Sequence, residues 1–431
     1  MLFGKEGFLK KNQGKFLLGY ELAKSHVQIS YIKMGEKEPE TFSAVPGSEE
    51  YNIPLTLFRF ADTGLWTFGK EATERKGDSR GIVFENLLNL AFREKTVKAE
   101  EEIYETAALL ALFVKKSFSL LTLGGTLDQI GACTFVIDSP EEEKIKVLRK
   151  VIEFLQLPNI EFHFMGKEEC FFYYTLYQDR ELWKNQVYLY ELEQERLKSY
   201  CLIQNHNTTP VVTFIEKKSY PSLPGRADMS ADEKEERDEK FLENLQEDME
   251  GKIVSTVYLI GDGFGGEWYQ KSVRYLCTKR RVFLGNNLFT KGACYGLRQL
   301  FLPGEEKQEF VYLGEDKLMA NVGLLVLQRG EETYLPVLDG GSSWYESSKE
   351  WDFIIEQENR LRFQITPLDG KNVVYSEIIL NGLNLKSRKY TRLHMEISME
   401  TREKMVVKIW EKGFGEFYPS LDQYWEESIR L

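Results

Sequence analysis

The start of the chain contains two apolar runs with a short interruption, a pattern that predicts a β-hairpin. Lys15–Glu21 and His26–Lys33 are rich in Leu, Tyr, Val and Ile, and Leu22–Ser25 separates them. Such runs, joined by a short connection, are typical of paired strands. Val187–Glu191 and Leu197–Ile203 show the same pattern later in the chain. We therefore expect a hairpin that opens a sheet, and a second strand pair.

Apolar residues that recur at the helical period predict helices in the first half of the chain. Glu100–Phe118 has one apolar stripe at this period. Another helix is expected at Ser139, because Ser139, Pro140 and Glu142 have the spacing of a capping box with proline at the first helical position. The apolar strand Cys133–Ile137 precedes this helix, and a strand followed by a helix indicates an α/β unit.

A further helix is expected after a linker. Pro221–Met229 contains two prolines and a glycine, which indicate a turn or linker. Ser230–Glu233 has the capping-box spacing, and a highly charged helix extends from there to about Met249. We interpret it as a solvated helix on a domain surface, with a dedicated interaction helix as the alternative.

The character of the chain changes after about Pro303, where strand-like runs alternate with turn signals such as Asp369-Gly370. This spacing predicts an all-β sandwich of roughly 100 residues. The expected strands are Leu324–Gln328, Tyr334–Leu338, Arg360–Thr366, Ser376–Leu380, His394–Ser398 and Met405–Trp410.

Composition and charge narrow the classes of function. The chain has 431 residues, 42% hydrophobic and 29% charged, which suits a folded protein of two to four domains. Its net charge of -12 argues against nucleic-acid binding and against binding to acidic membranes. No apolar run approaches the ~20 residues of a membrane span, and the first residues lack a secretory signal. Five scattered cysteines without a CxxC pair favour reduced thiols and a cytoplasmic location.

A glycine-rich turn is the first candidate for ligand binding. Four glycines follow the apolar strand Ile253–Ile260, at Gly261, Gly263, Gly265 and Gly266. Glycine lets the backbone approach a ligand closely, and a turn that enters a helix, here expected from Glu267, can hold a phosphate or a nucleotide base. Tight packing without a ligand is the alternative interpretation. No internal repeat is evident along the chain.

Taken in order, these segments resemble the actin-like ATPases, and specifically the 70-kDa heat-shock (DnaK-type) chaperones. Leu18–Ser25 stands where that family has its first phosphate hairpin, and Tyr188–Glu191 stands at the second. Val257–Gly261, followed by Gly292, resembles the adenosine-binding segment. Leu361–Glu411 is similar to the substrate-binding β-sandwich. The resemblance covers nearly the whole chain and rests on order and spacing.

The resemblance implies a specific architecture. Residues 1–305 would form an α/β actin-like, two-lobed nucleotide-binding-type domain, with a lobe boundary near 120–130 and a reduced helical sub-lobe at 221–251. Residues 306–431 would contain a linker and an all-β sandwich like a chaperone substrate-binding domain, with a short C-terminal helix. The apolar segment Phe310–Leu313 occupies the region of the interdomain linker.

The phosphate hairpins depart from the family pattern. Glu21 replaces an aspartate, and the glycines of the second hairpin are replaced within Glu191–Arg196. Glu193 and Glu195 would bring negative charge towards a phosphate, and two like charges at ~4 Å repel by about 4 kcal/mol at an effective dielectric of 20. Leu87 stands where the family has a lysine that positions the attacking water. We therefore expect that hydrolysis is lost.

The cofactor-binding positions implied by the resemblance are the four loop glycines, Gly292, Glu21, Lys24 and Glu191. ATP or ADP with magnesium is the candidate cofactor, and we assign no catalytic residue and no metal site. Arg237 and Lys240 are candidate contacts to the base. Without a ligand, Glu21 and Glu191 would be solvated hairpin carboxylates.

The leading hypothesis is a chaperone-like pseudo-ATPase that binds a protein or peptide partner, with no nucleic-acid partner and no membrane insertion. A divergent ATPase with a metal site rebuilt on Glu21 and Glu191 is the first alternative. An actin-like cytoskeletal adaptor is the second.

Overall fold

The structure is a computed structural model that describes residues 15–43, 47–121, 127–208, 210–223, 225, 229–302, 309–328, 330–356, 359–368, 371–383, 390–417 and 419–431. The expected turn at Asp369-Gly370 lies outside these residues. So do the first residues of the chain and parts of both the linker Pro221–Met229 and the lobe boundary near 120–130.

The chain divides into two compact units, residues 1–312 and residues 313–431. The strands described in the first unit are β1 (Phe16–Leu22), β2 (His26–Lys33), β3 (Glu40–Thr41), β4 (Ile53–Pro54), β5 (Leu57–Phe60), β6 (Trp66–Phe68), β7 (Gly81–Phe84), β8 (Thr96–Ala99), β9 (Glu102–Glu105), β10 (Ile130–Ile137), β11 (Glu161–Gly166), β12 (Gln186–Glu193), β13 (Arg196–Asn205), β14 (Val211–Ser219), β15 (Val254–Ile260), β16 (Arg281–Gly285) and β17 (Phe310–Tyr312).

Among the described residues, α-helices occur in this unit alone. They are α1 (Gly69–Glu74), α2 (Leu87–Arg93), α3 (Thr106–Phe118), α4 (Glu142–Leu155), α5 (Lys167–Leu176), α6 (Ala231–Met249), α7 (Gln270–Cys277) and α8 (Leu288–Phe301). Within the described part of the chain, none of them is long and apolar enough to cross a bilayer.

Two large mixed sheets of the first unit share one strand order. The first runs β11-β10-β1-β2-β3, and β4 also pairs with β2. The second runs β16-β15-β12-β13-β14-β17. Strand β1 is antiparallel to β2 and parallel to β10, and β12 is antiparallel to β13 and parallel to β15 in the same way. The hairpins β1–β2 and β12–β13 therefore occupy equivalent positions, and the sequence prediction of both hairpins is confirmed.

Apolar packing joins the two sheets through α5 and α8. One buried cluster contains Val136 of β10, Phe171 of α5, Leu189 of β12 and Phe289 of α8. The other face of the second sheet packs against α6, whose Phe241 belongs to a separate cluster. The ends of β1 and β12 are thereby held on either side of the start of α5.

The second unit contains two four-stranded antiparallel sheets with the orders β19-β18-β21-β22 and β20-β23-β24-β25. Burial alternates along strands such as β23, so that one face of the sheet is apolar and buried. The strands are β18 (Ala320–Gln328), β19 (Glu331–Leu338), β20 (Ser348–Glu356), β21 (Arg360–Pro367), β22 (Val374–Ile379), β23 (Tyr390–Thr401), β24 (Lys404–Glu411) and β25 (Tyr424–Arg430).

Two helix starts differ from the sequence prediction. Residues Glu102–Glu105 form a strand that pairs with β8, so the helix expected from Glu100 begins at Thr106. Ile103, part of the expected apolar stripe, is exposed. The prediction of a capping box at Ser139 is wrong as well. Helix α4 begins at Glu142, and the Ser139 hydroxyl donates to the Glu141 carboxylate.

The expected C-terminal helix is wrong. Tyr424–Arg430 is the strand β25, which pairs with β24 along its length. Strand β20 was not expected either. The apolar segment expected as a linker is β17, which pairs in parallel with β14 and so belongs to the first unit. The capping box at Ser230 is confirmed, with Ser230 accepting from Glu233 N.

Candidate functional site

A buried lysine lies between two buried glutamates where the two sheets face α5. The ammonium group of Lys167 is 2.5 Å from Glu191 Oε1 and 3.3 Å from Glu21 Oε1. All three residues are at most 5% exposed. We call Lys167, Glu21 and Glu191 the charge triad.

The strand topology brings the triad together. Glu21 and Glu191 lie near the carboxyl ends of β1 and β12, and each stands opposite a residue of its own hairpin partner, Gln28 or Lys198. Lys167 directly follows β11 and is the first residue of α5. A positive charge at a helix N-terminus is opposed by the helix dipole, so the two carboxylates must offset this cost.

Burial and charge act in opposite directions on the pKa values of the triad. Burial disfavours the charged form of Lys167, but the carboxylates of Glu191, Glu21 and Glu193 outweigh it and hold the Lys167 pKa well above its usual value. For Glu191, burial is outweighed by Lys167, and the pKa is lowered. The Tyr200 hydroxyl also donates to Glu191 Oε2, at 2.7 Å. The ammonium of Lys167 therefore remains charged at neutral pH.

Glu21 differs from Glu191 in the direction of its shift. Burial outweighs the attraction of Lys167 and raises the Glu21 pKa. Glu191 is thus the stronger partner of the lysine, in agreement with the shorter distance between them.

The ammonium group occupies the position that a metal ion bound by both carboxylates would need. A divalent cation 4 Å from a unit positive charge is repelled by about 8 kcal/mol at an effective dielectric of 20. A metal site built on Glu21 and Glu191 therefore requires the displacement of Lys167. The expectation that these glutamates are solvated is wrong, because both are buried and both contact the Lys167 ammonium.

A cavity of about 160 Å³ opens beside the triad. Its cationic lining residues are Lys24, Lys144, Lys167, Arg196 and Lys198, and its anionic ones are Asp138, Glu191 and Glu193. Burial of Asp138 is outweighed by Lys198 and Lys217, which lower the Asp138 pKa to about 2. The lining has more cationic than anionic side chains, which favours a small anion over a cation.

The second hairpin contributes one of its two expected acidic side chains to this cavity. Glu193 lines it and lies 3.4 Å from the Lys167 ammonium. Glu195 is not part of the lining, and it accepts a hydrogen bond from Ser222 at 3.0 Å. The repulsion expected from Glu195 at a phosphate is therefore not supported by its position.

The loop glycines do not line this cavity, and three of the predicted glycines make close backbone contacts elsewhere. A Cβ at Gly261 or Gly263 would lie 2.4 or 2.8 Å from the Leu192 carbonyl oxygen, and Gly261 has a φ of 101°. A Cβ at Gly292 would lie 2.0 Å from the Cys170 carbonyl oxygen in α5. Packing therefore accounts for these three glycines. The loop glycines Gly265 and Gly266 precede α7, which begins at Gln270 rather than at Glu267.

Protein groups contact both expected base-binding residues. Arg237 donates to the carbonyl oxygens of Gln194 and Gly263, at 3.3 and 3.4 Å, and lies over the Trp268 ring. Lys240 donates to Glu236 one turn away on α6.

Of all the cofactor-binding residues expected from the sequence, the structure brings Glu21, Lys24 and Glu191 to one site and places the others outside it.

Sequence reasoning missed Lys167. The available signal was the apolar segment Glu161–Gly166 followed directly by a lysine, because the carboxyl ends of parallel strands meet at one edge of a sheet. Tyr200, the neutral partner of Glu191, carried no separate signal.

The chain belongs to a family of unknown function, DUF5716, whose C-terminal part matches residues 38–315. Residues 317–431 match a second domain of unknown function, DUF8552. The gap between the matched segments lies close to the division of the structure after Tyr312. Among curated proteins, none matches this chain.

Proposed function

We propose that the protein is a chaperone-like pseudo-ATPase, a binding or scaffold protein whose nucleotide-binding-type domain does not hydrolyse ATP. The observation that carries this proposal is the Lys167 ammonium between Glu21 and Glu191. Phosphoryl transfer in ATPases depends on metal ions that neutralise the developing charge. A fixed lysine supplies a positive charge at this position but leaves no room for an exchangeable metal.

The topology supports an actin-like architecture for the first unit. Two sheets with equivalent hairpins and equivalent parallel neighbours are the arrangement expected of two related lobes. In this proposal the two hairpin turns face each other across the cavity, as the phosphate hairpins of such ATPases do. The alternating burial of both sheets in the second unit supports a β-sandwich there.

The size of the cavity is a further argument against ATP turnover. Its volume of about 160 Å³ is below the range of roughly 300–1,000 Å³ that is common for pockets of small-molecule ligands. The space suits a single phosphate-sized anion better than a nucleotide with its metal.

An exposed strand edge supports the binding function. Strand β22 pairs with β21 on one side and forms an edge of its sheet. Val374, Tyr375 and Ile379 on this strand are each more than half exposed. An extended peptide can add to such an edge, with backbone hydrogen bonds that provide affinity and side-chain contacts that provide selectivity.

Phosphate release and peptide binding, measured on the same preparation of the full chain, test both halves of the proposal. We expect no phosphate release from ATP and magnesium above a protein-free blank, together with saturable binding of a fluorescent, extended apolar peptide. Phosphate release that disappears in Glu191→Ala but persists in Glu153→Ala, an exposed carboxylate on α4, would contradict the loss of hydrolysis. Absence of peptide binding would contradict the scaffold function.

A further inference from the structure

A histidine and three carboxylates meet on the outward face of the second sheet of the second unit. Strands β20 and β23 are antiparallel, and their register places Glu350 opposite Glu396 and Asp352 opposite His394. All four side chains point away from the buried face, because burial alternates along both strands. Donor atoms of Glu350, His394 and Glu396 all lie within 4.8 Å of one another.

The two ring nitrogens of His394 face different carboxylates. Nδ1 lies 3.2 Å from Asp352 Oδ1, and Nε2 lies 3.5 Å from Glu396 Oε1. When Nδ1–H donates to Asp352, the lone pair of Nε2 is directed towards Glu396 and Glu350. This is the carboxylate–histidine–metal arrangement, in which an outer carboxylate fixes the ring of a ligating histidine.

Among the described residues, neither Glu350 nor Glu396 forms an ion pair with a lysine or an arginine. Like charges directly opposite each other on paired strands are destabilising. Across the sheet, Lys408 of β24 stands next to Glu396 in register, and Glu426 of β25 stands beyond it. In the described part of the chain, the Glu350 side chain has no hydrogen bond, and the Lys408 ammonium lies more than 4 Å from every carboxylate, including that of Glu396 opposite it. A cation between Glu350 and Glu396 would remove this repulsion.

The donor set and its spacing favour zinc. Two ligands of one tetrahedral zinc ion, each about 2.1 Å from the metal, are about 3.4 Å apart. The distance of 3.5 Å between His394 Nε2 and Glu396 Oε1 already meets this requirement. Imidazole is a common ligand of zinc, whereas calcium and magnesium prefer oxygen ligands alone.

We propose that Glu350, His394 and Glu396 bind one zinc ion, with Asp352 orienting the imidazole ring. Water completes the tetrahedron, since the site is open to solvent on this face. The zinc ion joins β20 to β23. This site is independent of the charge triad and of the proposed pseudo-ATPase function.

Calorimetric titration of zinc chloride into the full chain, freed of metal beforehand, tests the proposal. We expect one zinc ion per chain and no binding of calcium or magnesium at the same concentrations. His394→Ala should weaken zinc binding by about 100-fold or more, and Glu350→Gln should also weaken it. Asp352→Asn should weaken it by about 10-fold, as is typical for the loss of an outer-shell carboxylate.

The matched control is His206→Ala, which removes an exposed histidine in the turn between β13 and β14 and should leave the titration unchanged. Circular dichroism of each metal-free variant checks that it folds. If His394→Ala does not fold, Glu350→Gln decides the question. The proposal is overturned if the wild-type chain shows no saturable zinc binding, or if a folded His394→Ala or Glu350→Gln variant binds one zinc ion as tightly as the wild type.

Discussion

At the scale of single residues, the site depends on a lysine that local sequence rules do not explain. Lys167 is buried at a helix N-terminus, where both desolvation and the helix dipole oppose its charge. Glu21 and Glu191 compensate for it, although they are 146 and 24 residues away in the sequence. Sequence analysis identified both glutamates as candidate cofactor-binding residues and expected them to be solvated without a ligand, because the sequence does not show that they are buried.

Replacing Lys167 by methionine should strongly destabilise the protein. The substitution keeps an unbranched side chain that is one atom shorter but leaves two buried carboxylates without a counter-charge. Breaking a buried pair in this way costs about 3–5 kcal/mol. Urea denaturation of the wild type and of Lys167→Met measures this loss.

Lys144→Met is the control for this substitution. Lys144 lines the same cavity but pairs with the exposed Glu141, so its loss should cost at most about 0.5 kcal/mol. If the two variants lose similar amounts of stability, Lys167 is not the counter-ion of the triad.

At the scale of elements, local signals predicted well where local contacts decide the structure. The helix after Ser230 forms as its capping box predicts, since both partners of the box lie within one turn. Glu102–Glu105 was expected as helix and is a strand, because its pairing with β8 outweighs its helical pattern. The same limit applies to Tyr424–Arg430, whose conformation is set by pairing with β24.

The contact between α5 and α8 gives a prediction at this scale. Gly292→Ala places a Cβ about 2.0 Å from the Cys170 carbonyl oxygen, so the two helices must move apart. We expect a loss of about 1–3 kcal/mol in the free energy of unfolding, even though alanine is the better helix former. Chemical denaturation provides the measurement.

Gly296→Ala in the same helix is the matched comparison. Its Cβ would lie 2.5 Å from the terminal methyl of Met165 and 3.0 Å from the Tyr173 ring. Both are side-chain atoms, and the methionine can move, so this variant should lose less stability than Gly292→Ala. Equal losses, or a more stable Gly292→Ala, would contradict the packing role of Gly292.

At the scale of the whole molecule, the first unit repeats a strand order that the sequence does not reveal as a repeat. Strand order depends on backbone pairing, which different side chains can support equally well. Glu21 and Glu191 occupy equivalent positions in the two sheets, since each lies near the carboxyl end of the strand that begins its hairpin, β1 or β12. The proposed zinc ligands could not be predicted from the sequence for a related reason. Their proximity arises from the register between β20 and β23, while the four histidines are scattered along the sequence.

The central claim is that Lys167, and not a metal ion, neutralises the carboxylates of this site. Thermal unfolding of the full chain with ATP, in the presence of either magnesium or EDTA, tests it most directly. A site that binds the magnesium complex of ATP gains about 2.7 kcal/mol at 100 times the dissociation constant, which raises the melting temperature by several degrees. We predict the same melting temperature with ATP under both conditions. A rise that requires both ATP and magnesium, and that is absent in Glu191→Gln, would contradict the claim.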